Sequence, residues 1–147
     1  MFKRYLDILY MKQKHKIGYK LLRDNDYFYL CLLEATGKVV ANDIKYRTNE
    51  VFVHQIIRIH NLKKVKSVIH ISFYDSTTIL YNEKQYVESY LNTSSDICAE
   101  GIHYFPMTGS SPENFITYFR PFVLNFSNIL VILDSWLSKI GIMKKEI

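Results

Sequence analysis

Apolar and polar positions follow two periods along this chain, and the switches between them predict where strands give way to helices. Phe2, Tyr5, Leu6, Leu9 and Gln13 fall at helical spacing with Lys3, Arg4, Asp7 and Lys12 between them, which predicts a short amphipathic helix over about residues 2–14. Gly18 is the expected stop. From Tyr19 the pattern shortens: Tyr19 to Leu22 reads as a strand, Asp24-Asn25-Asp26 as a turn, and Tyr27 to Glu34 as a central strand of continuous apolar and aromatic residues. Ala35 to Lys45, with Gly37 and Asn42-Asp43, is expected to be a connecting loop. Tyr46 to Leu62, rich in Val and Ile, is expected to form one long strand. Lys63 to Lys66 interrupts the apolar pattern, Val68 to Tyr74 resumes it, and Thr77 to Tyr81 with Gln85 to Val87 reads as a hairpin about Asn82-Glu83.

Asn92 to Asp96 is polar and loop-like. It leads into Cys98-Ala99-Glu100-Gly101-Ile102-His103-Tyr104-Phe105, where Gly101 permits a positive φ or a close backbone approach and Ile-His-Tyr-Phe reads as an inner strand. Ser110-Ser111-Pro112-Glu113 has the order of a helix start, with a serine cap, proline in the first turn and an early acid. Pro121 ends that helix. Asn125 to Ile142 predicts a second one, with Phe126, Ile129, Leu130, Leu133, Leu137 and Ile140 as its apolar seam. The fold class is therefore α+β: a predominantly antiparallel β-sheet with flanking N-terminal and C-terminal helices, the two carboxyl-side helices covering the sheet.

At 147 residues the chain has the length of a single domain. Its 12 Tyr and 9 Phe reinforce the strand reading. Only Cys31 and Cys98 are cysteines and no signal-peptide pattern opens the sequence, so a reduced, intracellular setting is expected. The net charge of +5 is uneven: Lys3, Arg4, Lys12, Lys14, Lys16, Lys20 and Arg23 stand against Asp7 alone at the amino end, making residues 1–17 a basic helical arm. Arg58, His60, Lys63, Lys64 and Lys66 form a second cluster, and Lys144 and Lys145 a third. Such patches suit nucleic acid or an anionic surface, and equally a solvated exterior that keeps an aromatic protein soluble. Pro121 to Leu133 is uncharged, but Asp134 follows, so residues 120–147 read as an apolar helix packed on the sheet or on a protein partner rather than as a transmembrane span.

Cys98 and His103 are the one Cys-His pair close in sequence, and an imidazole beside a thiol can create a nucleophile. Five positions and a turn glycine separate them, so a small buried Cys98 and a strand His103 bonded to a carbonyl or a tyrosine hydroxyl explain the same residues. Arg47 with His103 could hold a phosphate or carboxylate; structurally, Arg47 could instead pair with Asp43, Glu50 or Asp75. His54, His60, His70, Cys98 and His103 lack zinc-ligand spacing, and no phosphate loop, GxGxxG, HExxH or GxSxG motif occurs. No metal and no cofactor is called for.

Gly18-Tyr19-Lys20, the strand Tyr27 to Leu33, Lys45-Tyr46-Arg47, Ser72-Phe73-Tyr74-Asp75, Tyr81 and the Cys98 to Phe105 motif stand in an order that resembles an uncharacterised domain of large DNA viruses of protists and phage-like proteins, sometimes found beside pentapeptide repeats. The resemblance covers about residues 18–119 and brings no activity. It implies a viral protein acting in the host cytoplasm. Tyr46 stands where that family usually has Cys, Tyr104 replaces Phe, and Asn82-Glu83 replaces Val-Gly. The expectation is a non-enzymatic binding or interaction module. Its alternatives are an enzyme or small-anion site built from Arg47, Cys98 and His103, with Arg47, Gly101 and His103 as the ligand-binding candidates, and a nucleic-acid binder acting through the basic arm.

Overall fold

A computed structural model describes residues 16–41, 45–91, 100–107, 111–122 and 124–145; the helix expected over 2–14 and Cys98 lie outside these. Strands β1 (Ile17–Arg23) and β2 (Phe28–Ala35) form the first hairpin, paired from Ile17↔Glu34 to Arg23↔Phe28. Its turn is closed by Asp24, whose Oδ1 accepts the backbone N–H groups of Asp26 and Tyr27 at 2.9 and 2.8 Å, the local bonding that favours aspartate in turns.

The segment expected to be a loop after Ala35 contains β3 (Val39–Ala41), and the long strand expected from Tyr46 is two, β4 (Tyr46–Thr48) and β5 (Glu50–Arg58). The reason is a shared corner. β2 pairs β5 and β3 pairs β4, so β2–β3 and β4–β5 are the arms of one long hairpin bent at Gly37 and Asn49. A Cβ at Gly37 would sit 2.0 Å from Asn49 Oδ1, the atom that accepts the Lys38 N–H at 2.8 Å. The lysine-rich interruption after Leu62 includes a short strand, β6 (Lys64–Val65), on the outer edge of β5. Beyond the bend, β4 turns over to pair with β10 (Ile102–Pro106), which also pairs β1. The order β3-β4-β10-β1-β2-β5-β6 is thus a curled antiparallel half-barrel. Ile102 to Phe105 of the motif do lie in an inner strand, β10, between β4 and β1.

The hairpin expected about Asn82-Glu83 does not form. β8 (Thr78–Asn82) pairs backward with β7 (Ser67–Ile71), while β9 (Tyr86–Glu88) joins β5 at Glu50–Phe52. Lys84 explains the exchange: at φ 62° it redirects the chain, and its N–H reaches the Val53 carbonyl at 2.7 Å, seating β9 on β5.

Strand alternation sends side chains into two layers. The inner layer, within the curl, holds Leu22, Cys31, Leu33, Val51, Val53, Ile56, Ile102 and Tyr104, covered by Val68 and Tyr81 of β7–β8. The β2–β5 register shifts between Leu32 and Leu33, which inserts His54 as an extra residue and keeps both Val53 and Ile56 facing inward. The outer layer, Tyr19, Leu21, Leu30, Ile57, Phe105 and Met107, lies under α1 (Ser111–Tyr118) and α2 (Phe126–Lys145). Asn125 caps α2 through its Oδ1, which accepts the Asn128 N–H at 3.1 Å.

The apolar seam of α2 is rotated from the expected one. Ile129, Ile132, Leu133 and Trp136 face the sheet, whereas Leu130, Val131 and Leu137 are exposed. Trp136 decides the rotation: its large indole fills the core, and Nε1–H donates to Gln55 Oε1 at 2.7 Å. Among the described residues no helix is long and apolar enough to cross a membrane.

Candidate functional site

Lys45 and Arg47 are two apart on extended backbone, so both side chains leave the same face, and the β4–β10 register sets His103 opposite Arg47. This is the outer face, because Phe105, two residues beyond His103, belongs to the layer beneath the helices. All three are buried, Lys45 and Arg47 at 2% and 1% exposure. Burial of long cations is uncommon and requires bonded partners.

Two tyrosines from separate elements meet Lys45. Tyr118 comes from the last turn of α1 and Tyr74 from the turn between β7 and β8. Lys45 Nζ donates to the Tyr118 hydroxyl at 2.8 Å and to the Tyr74 hydroxyl, and the two hydroxyls are themselves hydrogen-bonded. The ammonium lies 4.3 Å from the Tyr118 ring centroid and 4.6 Å from that of Tyr74, within cation–π range. The Tyr74 ring lies 5.2 Å from that of His103. Tyr74 is 46% exposed, so the buried cation is linked to solvent through a phenol.

Arg47 Nη1 donates to the Glu100 carbonyl at 3.0 Å. Gly101 has φ 141°, and a Cβ there would come within 2.9 Å of Leu91 Cδ1 and 3.3 Å of Arg47 Cβ. Glycine therefore lets the motif lie against the arginine. Of the sequence candidates, Arg47, Gly101 and His103 are brought together, while Cys98 lies outside the described residues. Lys45, Tyr74 and Tyr118 are site residues that sequence reasoning does not single out. The i, i+2 spacing of Lys45 and Arg47 is a usable signal for the first; nothing local connects Tyr74 with Tyr118.

The inner face at this point is polar in a different way. Lys20 Nζ crosses to the His103 carbonyl at 3.0 Å, where the β1–β10 ladder, registered at Gly18↔Pro106 and Tyr19↔Phe105, gives out. Burial lowers the Lys20 ammonium to about 8, with a smaller opposing pull from Cys31. Burial likewise pushes the Cys31 thiol up to about 12. A thiol so placed is a core side chain and not a nucleophile.

The second basic cluster is partly consumed by packing. The Arg58 guanidinium lies 4.3 Å from the Tyr27 ring centroid and His60 meets the same ring edge-on, leaving Lys63, Lys64 and Lys66 exposed. Among the described residues no three His, Cys, Asp or Glu side chains gather as a metal site would require.

No family model, curated protein or solved structure matches the chain. The functional reading therefore rests on the chemistry of the residues. An ammonium, two phenols and an imidazole stand together on one wall, groups of the kinds that donate hydrogen bonds to a carboxylate or phosphate.

Proposed function

We propose that this chain is a non-enzymatic binding module that takes a small anionic group, a carboxylate or a phosphate, at Lys45, Tyr74, Tyr118 and His103, with Arg47 fixing the wall from within. One observation carries the reading: a nearly buried lysine is held by two tyrosine hydroxyls from separate elements, one of them on an exposed ring. Phenol hydroxyls rotate at little cost, so a hydroxyl released from the Tyr74–Tyr118 bond can turn its proton toward an incoming oxygen while Lys45 supplies charge beneath. The exposed Leu130, Val131 and Leu137 of α2 supply a surface for a protein partner of such a module.

The test is a titration with inorganic phosphate and, separately, acetate, followed by amide and side-chain NMR. Saturable shifts at His103 and Tyr118, weakened in Tyr74→Phe and Tyr118→Phe, support the site and rank the two anions. Absence of saturation, or affinity unchanged from the parent in both phenylalanine variants, overturns it. The competing enzyme reading, with Cys98 as nucleophile beside His103, requires a turnover that disappears in Cys98→Ser while anion binding is retained.

A further inference from the structure

The outer face of the sheet is not wholly covered by helices. At the corner end of β2, β5 and β9 it carries a row in register, Glu34↔Phe52↔Tyr86, and beside it a second pair, Glu50↔Glu88. These residues alternate with the buried Val51, Val53 and Val87, so all five side chains share the outward face. Tyr86 is 62% exposed, and its ring packs edge-on against Phe52 at 5.1 Å between centroids. The His54 ring also meets Phe52 edge-on, at 4.9 Å between centroids. Glu34 is already shared, lying 3.2 Å from His54 Nε2 with Lys16 nearby. Glu50 accepts the Thr36 hydroxyl at 2.7 Å. Glu88 is exposed.

We propose that this face, the Phe52–Tyr86 aromatic pair flanked by Glu50 and Glu88, docks an arginine-bearing peptide of a partner protein. Charge complementarity names the occupant. In a chain of net charge +5, two glutamates are direct register partners across a ladder, a placement of like charges that weakens a sheet. A guanidinium relieves that repulsion, forms paired hydrogen bonds with carboxylate and lies flat on an exposed aromatic ring. Nucleic acid is disfavoured because its phosphates would meet the same carboxylates. A purely apolar partner would bury them without compensation.

The experiment uses the full chain and a fluorescent Gly-Arg-Gly-Arg-Gly peptide, with a citrulline-for-arginine twin as the uncharged isostere. Binding should be seen for the arginine peptide only, and NMR shifts should centre on Phe52, Tyr86 and Glu88. Tyr86→Ala, at an exposed position and without a change of charge, should weaken binding about three- to fivefold. Glu88→Lys should abolish it while raising the melting temperature, since it replaces the Glu50–Glu88 repulsion by attraction. Equal binding of the citrulline peptide, affinity unchanged in Tyr86→Ala and Glu88→Lys, or self-association through this face in place of peptide binding would overturn the proposal.

Discussion

The backbone N–H of Arg23 donates to Nδ1 of His70 at 3.0 Å, so an imidazole completes the edge of β1 where β10 has turned away. Arg23 answers with its own side chain, Nε to the Ile71 carbonyl and Nη2 to that of Ser72, with Phe73 under the guanidinium. The β7–β8 lid is thereby tied to β1. Burial, aided by the positive Lys20 and Arg23, holds His70 neutral down to about 3 from an ordinary 6.5. Its acceptor nitrogen must stay unprotonated for the tie to exist. Above pH 6.5 neither folded nor unfolded chain protonates this ring; between 6.5 and 3 the unfolded chain does and the folded one does not. Stability should therefore fall by up to about 1.4 kcal/mol per pH unit as pH drops through this window. His70→Asn keeps an acceptor without the titration, and urea midpoints measured from pH 7 to 5 should be flatter in it than in the parent. Parallel profiles would remove His70 as the cause. Asp24 and Glu34, both held below their ordinary values of 3.8 and 4.5, account for the further loss at lower pH.

Cys31 has no exposure and its thiol is pushed up to about 12. In a Cys98→Ser background, iodoacetamide at pH 8 should label Cys31 only as fast as the chain opens. Adding denaturant should raise the rate in step with unfolding measured independently. Rapid labelling of the native chain would contradict its burial.

Trp136→Phe keeps an aromatic ring in the core but leaves Gln55 Oε1 without its indole donor. The expected cost is about 1–3 kcal/mol. Gln55→Leu in the same background should recover part of it by removing the stranded acceptor, which a double-mutant cycle on chemical denaturation would register.

Gly18→Ala should be the most damaging single-methyl change. A Cβ there would lie 2.3 Å from the Phe105 carbonyl oxygen and 2.6 Å from Tyr104 Cδ2, so backbone must move apart. Overpacking of this kind costs about 1–3 kcal/mol, and here it acts on the β1–β10 ladder itself. Amide exchange should accelerate at Tyr19 and Met107 before it does at Leu30, which pairs with Ile57 on the β2–β5 ladder.

Sequence pattern locates most elements, because the strands are apolar and the turns carry Asp24, Gly37 and Asp75. It fails where a distant partner overrides local signal. Asn49 divides what composition reads as one strand, since only the bend lets β4 reach β10. Lys84 redirects a chain that looks like a hairpin, through a bond to Val53. On α2 the heptad-like leucines suggest a seam, but the indole of Trp136 has more area to bury and a donor to satisfy, so the helix turns toward it. In the candidate site, Arg47 and His103 are legible as residues; their facing register is not. Gly18 reads as a helix stop, yet its use is the close approach of two strands.

The curl has a temporal side. Lys20 and His103, joined across its opening, are 83 positions apart in the chain. A ribosome therefore releases β1 and β4 well before β10 exists to pair with them, and both present open edges to the surroundings during that interval. In the finished fold the strand that carries the Gly-Ile-His-Tyr-Phe motif fills the slot between β1 and β4, and it is the last of the three to be made. An added peptide of that sequence, supplied in trans to a chain ending before it, would compete for the same slot.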